Sequence, residues 1–493
     1  MSLVRVVTGR HVGWLALALV AACSAAAVPP SLEVISPDQA RQALAVPNNV
    51  AITYFEGVRL ANLNEDPLQR CLLFPDLPGN HWPAQLAKAH CELAFGSGIN
   101  AKRMATMLDS GKVEELEAIY AADQERHFSK SNFSEAIHGD FHFFDGGKQS
   151  DRLSRQWLGK AKDSPYAMLA RANHLLNAAR RVRRARSEGK MADDEIASMR
   201  QLGQESAALY ASAAKKAPNM IEAYNGLAHV GTIAGLGEAE LSGIEEGKKV
   251  DALCAALAMQ EMWALMPRWG GSQEAMRGRS AELAKSLNER PLVSLAMAMP
   301  DYDLSDQMCC SHPNSRFAMG DLLRPLALVT TNPDVSENLG TATCCGASGS
   351  AMESTVHFLA ASRFRRSTTF FAMQRAMSVL QNYPSHPEIA LPDIQYVLDW
   401  EPDNGHAHVK LAEVYYMQRR YADAEKELLI GLDDPTARSR ALMILAQTLA
   451  MEGRLDQARA RADQFKQEFP EDAQISAWLD SFLASQAAAS QPN

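Results

Sequence analysis

A helix-turn-helix pattern that occurs twice near the C-terminus constrains the fold of this chain more than any other feature. Between residues 403 and 470, large and small apolar residues recur at a spacing of 34 positions. The paired positions are Leu411 and Leu445, Ala412 and Ala446, Tyr415 and Leu449, Tyr421 and Leu455, Ala424 and Ala458, and Leu428 and Ala462. A period of this length indicates a unit that buries its apolar face by stacking on its neighbours. The sequence therefore predicts an array of helical repeats.

This register resembles the tetratricopeptide (TPR) repeat, in which a small residue lies at the point where the second helix crosses the first helix. The resemblance implies an all-α fold class, a TPR-like solenoid in two arrays with an irregular N-terminal segment. Before the two clear repeats, a degenerate unit is predicted from Ala390, Ile394, Val397 and Pro402. After them, a capping helix is predicted from Trp478, Leu479 and Leu483. Solenoids need such a cap because a terminal repeat has no neighbour to cover it.

An earlier helical array is predicted from residues 105–290. A helix, a turn at Gly111 and a second helix have the form of one repeat unit. Residues 267–272 read Pro-Arg-Trp-Gly-Gly-Ser, in which Trp269 is expected to plug a corner and Ser272 to cap the next helix. This corner resembles one in a family of uncharacterised bacterial TPR-like domains. The resemblance implies no known activity.

The remaining segments complete the predicted domain organisation. Val50–Phe55 has strand composition but could equally form an extended arm, and the Gly-, Ser- and Thr-rich stretch before residue 351 is the expected boundary between domains. The predicted divisions are a signal peptide at 1–22, a flexible tether at 23–44, an irregular segment at 45–104, the first array at 105–290, a Cys-containing linker at 291–351, the C-terminal array with its cap at 352–485, and a disordered tail at 486–493.

The N-terminus has the features of an export signal. Arg5 and Arg10 precede the apolar run Val12–Val20, which is too short to span a bilayer comfortably. The run ends in Val-Ala-Ala-Cys, which resembles the lipobox of bacterial lipoproteins and implies lipidation of Cys23. Alternatives are ordinary secretory cleavage within residues 24–27 and an uncleaved anchor. The expected location is the bacterial cell envelope, as an outer-membrane lipoprotein facing the periplasm, or as a secreted or soluble periplasmic protein.

The charge balance restricts the class of partner. Removing residues 1–22 leaves 47 basic against 58 acidic residues, which changes the formal charge from −9 to −11. An acidic chain argues against nucleic acid or an anionic lipid surface as the main partner. A local exception is the set Arg180, Arg181, Arg183, Arg184 and Arg186. Helical spacing scatters these arginines around the axis, so they form either a solvated helix end or a docking patch for an acidic partner.

The cysteines suggest disulfide bonds in an oxidising compartment. Cys254 lies in an apolar run and is expected to be a small buried residue. The disulfide candidates are Cys71, Cys91, Cys309, Cys310, Cys344 and Cys345, with the two doublets expected to pair with each other and Cys71 with Cys91. Free thiols and a zinc site remain alternatives, although zinc sites favour a C-x2-C spacing that doublets lack.

Motifs for catalysis are weak, and neither a catalytic residue, a cofactor nor a metal is expected. The turn at residues 346–350 has Ser350 where a serine-nucleophile motif requires glycine. His138 and His142 stand at i, i+4, yet residue 139 is glycine, and no H-E-x-x-H motif is present there. His406 and His408 are predicted on different faces of one helix.

The predicted functional surface is the concave face of the C-terminal array, which first helices line in TPR proteins. The 34-residue register assigns to it His406, Val409, Glu413, Tyr416, Met417, Arg440, Met443, Gln447 and Met451. Flexible methionines with an aromatic anchor suit a peptide segment of another envelope protein better than a small-molecule substrate. The function expected is that of a membrane-tethered scaffold, with a lipid anchor as its membrane contact. Alternatives are an immunity or inhibitor lipoprotein, or an envelope hydrolase with a site in residues 45–290.

Overall fold

The structure, a computed structural model, describes residues 39–40, 42, 47–96, 99–130, 133–184, 191–308, 315–343, 350–365 and 368–489. All the regular secondary structure in these ranges is helical. The predicted all-α fold class is therefore confirmed. Among the described helices, none is both long and apolar enough to cross a bilayer.

The N-terminal segment is helical, so the prediction of an irregular segment at 45–104 is wrong. Its helices are α1 Asn48–Ala61, α2 Pro67–Leu73, α3 Leu86–Phe95 and α4 Ala101–Asp109. The strand-like composition of Val50–Phe55 misleads because Ala51, Tyr54, Phe55 and Val58 are buried at helical spacing on one face of α1. Packing against the rest of the protein overrides the local preference for strand.

A disulfide joins α2 to α3. Cys71 and Cys91 lie 5.6 Å apart between their Cα atoms and are bonded to each other. Both are buried beside Phe95 and Phe364. The bond thus holds the Pro-rich loop between the two helices against the core, with the partners that the sequence suggests. The other four candidates, Cys309, Cys310, Cys344 and Cys345, lie outside the described residues, as does Cys23.

The first array follows in the predicted region. Its helices are α5 Val113–His127, α6 Ala136–Gly139, α7 Lys148–Lys160, α8 Pro165–Arg184, α9 Asp193–Lys216, α10 Ile221–Ala234, α11 Gly237–Val250, α12 Ala255–Ala264 and α13 Gln273–Ala284. Tyr120, Trp157 and Tyr210 are the largest side chains fully buried in its core. These rings fill the space between helix pairs that small residues bring close together.

The corner before α13 differs from expectation in one respect. Ser272 caps α13 by accepting a hydrogen bond from the Ala275 amide, as predicted. Trp269 is 51% exposed, so the prediction that it plugs the corner is wrong. The corner is instead closed by the approach of Gly271 to the Leu265 backbone, and the Arg183 guanidinium lies 5.9 Å from the centre of the Trp269 ring.

The segment predicted as a linker is instead the centre of the molecule. It contains α14 Ser294–Met297, α15 Met299–Met308, α16 Ser315–Val329 and α17 Pro333–Thr343. Side chains of all four helices join one large core cluster with residues of α1, including Tyr54 and Phe55. In addition, the Trp82 indole donates a hydrogen bond to the Ala327 carbonyl over 3.1 Å. The prediction of a linker at 291–351 is therefore wrong for its described residues.

Polar composition misleads here because the polar groups are buried and paired. Asp334 and Glu337 of α17 are buried and accept hydrogen bonds from Arg365 at 2.5 and 2.8 Å. Arg375 lies between Glu337 at 3.3 Å and Asp393 at 2.7 Å. Buried charges are stable only when they are paired in this way. A segment rich in polar residues can thus form a core that sequence composition assigns to the surface.

The C-terminal array contains the predicted repeats. Its helices are α18 Ala351–Phe364, α19 Thr369–Asn382, α20 Leu391–Trp400, α21 Gly405–Met417, α22 Tyr421–Gly431, α23 Arg438–Met451, α24 Leu455–Glu468 and α25 Ala473–Ala489. Leu479 and Leu483 of α25 are buried against the last repeat, as a cap requires. Because α25 runs to Ala489, the prediction of a disordered tail from 486 is wrong for residues 486–489.

One turn geometry recurs between paired helices. Residues Gly111, Gly235, Arg419 and Gly453 all have φ between 61° and 79°. In each case the next amide donates a hydrogen bond to the carbonyl five residues before it: Lys112 to Met107, Leu236 to Gly231, Arg420 to Tyr415, and Arg454 to Leu449. This left-handed helix ending reverses the chain and defines the repeat unit. Arg419 and Gly453 are 34 residues apart, so the turn follows the same period as the core.

At the other end of the chain, the range predicted as a flexible tether lies almost entirely outside the described residues. Ala40 is an exception, since it is fully buried in the large central core. The folded body therefore begins before residue 45, and the prediction of a tether extending to residue 44 is wrong at its C-terminal end.

Candidate functional site

A groove on the C-terminal array brings together most of the residues predicted to line its concave face. Its cavity volume is about 530 Å³. The predicted residues that line it are Glu413, Tyr416 and Met417 from α21, and Arg440, Met443 and Gln447 from α23. First helices thus provide two walls, as the repeat register indicates.

The third wall comes from α25 and was not included in the prediction. Gln474, Ile475 and Trp478 line the groove together with Ile444 of α23. The signal was present in the sequence, because Gln474 lies 34 residues after Arg440 and Trp478 lies 34 residues after Ile444. The capping helix therefore acts as a further first helix and leaves the groove open.

Three predicted residues lie elsewhere. Val409 is buried in the core of the array, so its assignment to the groove surface is wrong. The reason is that Val409 packs on Gly431 of the second helix and so faces the seam between helices. His406 hydrogen-bonds Thr436 over 3.0 Å, and Met451 is exposed, but neither lines the cavity.

The groove is apolar with a charged edge. Glu413 is buried and paired with Lys410 Nζ at 2.9 Å and with Arg440 Nε at 3.0 Å. One carboxylate therefore faces two cations, which leaves a surplus of one positive charge at this position. The Arg440 side chain is half exposed, so its charge can reach a bound ligand. The groove is suited to an apolar ligand that carries a negative group at one end.

An aromatic pair borders the groove on α25. Trp478 is 46% exposed, and its ring stacks on Phe482 with the centroids 5.5 Å apart and the planes 14° apart. Because the stack fixes the indole, little side-chain entropy is lost when a ligand contacts it. Rigid exposed tryptophans of this kind are frequent in the centres of protein interfaces.

The arginine cluster on α8 is engaged in structural contacts where it is described. Arg181 donates to the Asp145 carbonyl at 3.0 Å, and its guanidinium lies 3.7 Å from the centre of the Trp400 ring. Arg183 donates to the carbonyls of Thr232 and Ile233 at the end of α10. Neither predicted interpretation, a solvated helix end or a docking patch, describes Arg181 and Arg183, because these contacts hold the end of α8 to neighbouring parts of the chain.

A buried polar cluster lies in the first array, where the sequence analysis considered a histidine pair. The i, i+4 pair does not form, because α6 ends at Gly139 and His142 bonds the Gly139 carbonyl. His138 instead contacts Glu222 through Nδ1 at 2.5 Å and Cys254 through Nε2 at 3.3 Å. Glu135 completes the cluster, 3.7 Å from the Cys254 sulfur.

The order of Cys254, His138 and Glu222 resembles that of a nucleophile, a base and an orienting acid. Cys254 is only 1% exposed, so a substrate cannot contact its sulfur in this structure. Burial also raises the pKa of the Cys254 thiol well above its ordinary value, and Glu135 adds to the effect. These features oppose nucleophilic catalysis, which requires an accessible thiolate.

The other motifs considered in the sequence are resolved in part. His408 bonds Glu427 and the Pro402 carbonyl, whereas His406 bonds Thr436, so the two rings have separate partners. The turn around Ser348 lies outside the described residues.

Comparison with known proteins identifies the repeat type. A family model for the tetratricopeptide repeat matches residues 385–447, which include α20, α21 and α22. A comparison with curated proteins finds no match. Among solved structures, the crystal structure of the APC/C hetero-tetramer Cut9–Hcn1 is similar over 82% of this chain and 84% of its own, with 11% identity and a TM-score of 0.27. The repeat match, with the helix pairs described above, shows repeats of the tetratricopeptide type at residues 385–447.

Proposed function

We propose that this protein is a scaffold that binds a segment of another protein in the groove formed by α21, α23 and α25. The observation that carries the proposal is the convergence of Tyr416, Met417 and Trp478 on one open apolar cavity. Apolar side chains exposed together in a groove are characteristic of peptide-binding surfaces. TPR-like repeats are commonly scaffolds of this kind, whereas a catalytic site needs convergent acid, base or nucleophile groups.

The ligand is an amphipathic segment with apolar side chains and one acidic group. Methionines at positions 417 and 443 adapt to apolar side chains of varied shape, and Trp478 offers a flat contact. Arg440, next to the Glu413 and Lys410 pair, faces the acidic group of the ligand. The apolar walls therefore provide most of the affinity, and the positive charge sets the orientation of the bound segment.

A binding measurement with matched variants tests the proposal. The probe is a fluorescein-labelled peptide selected on the full chain from a displayed random-peptide library. Tyr416→Ala with Trp478→Ala removes two groove side chains and should weaken binding by about 2 kcal/mol, or about 30-fold. Met443 is a less suitable target because it is nearly buried in the core of the array.

The control is Leu429→Ala on the second helix α22, since Leu429 is 44% exposed and matches Trp478 in exposure without lining the groove. Its affinity for the peptide should equal that of the wild type. Equal losses in both variants, or unchanged binding in the groove variant with its helix content intact, would refute the groove as the binding site.

The same proposal places the scaffold in the bacterial cell envelope, held to the outer membrane by lipid on Cys23. Support comes from the lipobox-like sequence at residues 20–23 and from the short apolar run that precedes it. A single acyl chain anchors weakly, so the proposal requires the multiply acylated form. Cys23→Ser should abolish lipid incorporation and release the protein from membranes. Membrane retention of that variant would contradict the tether while leaving the groove proposal intact.

A further inference from the structure

The buried cluster of Glu135, His138 and Cys254 has the composition of a metal site. The carboxylate, the imidazole and the thiol each offer one donor atom, and these three atoms lie within 4.8 Å of one another. Their separations are 3.3 Å from Cys254 Sγ to His138 Nε2, 3.7 Å from Sγ to Glu135 Oε2, and 4.0 Å from Nε2 to Oε2. We propose that these three side chains bind one zinc ion.

The distances fit zinc coordination. In the plane of the three donor atoms, the point equidistant from them lies about 2.1 Å from each atom. Zinc bonds to nitrogen, oxygen and sulfur are about 2.0–2.3 Å long. Sulfur, nitrogen and oxygen donors together favour zinc over magnesium or calcium, which take oxygen ligands. When the ion binds, the thiol proton leaves to solvent and the sulfur coordinates as thiolate.

The donors are held by contacts that a zinc site requires. His138 donates Nδ1–H to Glu222 over 2.5 Å, which leaves the Nε2 lone pair directed at the sulfur. A carboxylate on the second ring nitrogen is the usual support of a metal-binding histidine. Glu135 accepts hydrogen bonds from the Ala255 and Ala256 amides at 2.8 and 3.1 Å, so the first turn of α12 holds the carboxylate beside Cys254.

The charge of the cluster also favours a cation. The side chains of Glu135 and Glu222 are 1% and 5% exposed, and in the described part of the chain their partners are His138 and neutral amide or thiol groups. The nearby Arg290 is instead paired with Asp251 at 3.3 Å. A buried surplus of negative charge is costly without a counter-ion. With Cys254 bound as thiolate, a divalent ion would lower the net negative charge of the cluster from two to one.

The fourth coordination position falls to water, since among the described residues no other His, Cys, Asp or Glu donor lies within 4.8 Å of all three donor atoms. The site shares no residue with the C-terminal groove, so it is independent of the proposed peptide binding. It ties the loop before α6 to the start of α12 and would stabilise the first array.

Metal analysis of the purified full chain, grown with zinc, tests this assignment. The wild type should carry one zinc per chain. Cys254→Ser should lose it, and Glu222→Gln should bind it about 10- to 100-fold more weakly. Cobalt(II) added to the metal-free wild type should give a thiolate-to-cobalt charge-transfer band and visible bands of tetrahedral cobalt.

Two controls separate this site from other donors. His142→Gln, in the turn after α6, should retain the zinc, and so should the variant that carries Cys309→Ser, Cys310→Ser, Cys344→Ser and Cys345→Ser. Zinc that survives Cys254→Ser but disappears with those four cysteine substitutions would assign the metal to the doublets and overturn the proposal. A wild type without zinc and without a cobalt–thiolate band would also overturn it, and that outcome needs no variant to fold.

Discussion

Replacing Gly453 by alanine should loosen the last helical repeat without disturbing a side-chain contact. Gly453 has φ of 79°, and a Cβ built on it would meet nothing within 4 Å. The left-handed conformation costs an ordinary residue about 1–2 kcal/mol. Alanine recovers about 0.4–1 kcal/mol because it restricts the unfolded chain. The net destabilisation should therefore be about 1 kcal/mol.

The preceding repeat offers the opposite substitution at the equivalent position. Arg419 already adopts φ of 61°, and its side chain is exposed. Arg419→Gly relieves the strain and loses the same entropic advantage, so this turn should become more stable by about 0.5–1 kcal/mol. Gly278→Ala is the control, because Gly278 lies inside α13 with open space around its Cα, where alanine is favoured by about 0.5–1 kcal/mol.

Hydrogen exchange measured by mass spectrometry gives local opening free energies and so reports each repeat separately. Gly453→Ala should speed exchange in α23 and α24 about fivefold, which corresponds to 1 kcal/mol. Arg419→Gly should slow exchange in α21 and α22. If both substitutions changed exchange in the same direction, the turn conformation would not be the cause, and the account of the repeat would be refuted.

Three further substitutions test other parts of the fold. Replacing Cys71 and Cys91 together by alanine opens a loop of 20 residues and should cost about 3 kcal/mol of unfolding free energy in urea titrations; no change would show that the bond is absent. Gly226→Ala places a Cβ against the Tyr210 ring and should lower stability by about 1–3 kcal/mol, and an unchanged melting temperature would contradict this packing. Burial, with Arg324 nearby, lowers the pKa of His357 to about 3. Below the ordinary histidine pKa, the unfolded chain therefore binds a proton at His357 that the folded protein does not bind. Stability should therefore fall as pH decreases from about 6.5, and His357→Leu should remove up to about 1.4 kcal/mol per pH unit of this slope; an unchanged slope would show that His357 is not the titrating group.

The repeat period carried most of what the sequence could predict. Helix ends at Pro165 and Ser272 and the paired helices of 405–468 follow from local capping signals and from spacing. These features depend on residues close together in the chain, and a regular period repeats the same signal in successive units. Six of the nine predicted groove residues followed from the same register, whereas His406, Val409 and Met451 lie elsewhere and the wall on α25 was not predicted. The register alone cannot distinguish a buried position such as Val409 from a surface position.

The centre of the molecule could not be predicted because its stability comes from distant partners. Glu337 is buried only because Arg365 and Arg375 reach it from other helices. In the same way, Val58 joins a core to which residues more than two hundred positions away contribute. The Glu135, His138 and Cys254 cluster also depends on a contact across 119 residues, so spacing motifs do not reveal it.

The most direct test of the central claim is site-specific photocrosslinking of the full chain in its native host. A photoreactive amino acid replaces either Met417, which is 38% exposed at the groove, or Leu429, which is similarly exposed on the second helix α22. The account predicts a discrete crosslinked protein at position 417 that is absent at position 429 and that disappears when Tyr416 and Trp478 are also replaced by alanine. Equal crosslinking at both positions, or none at 417, would contradict the claim that this groove binds a protein partner.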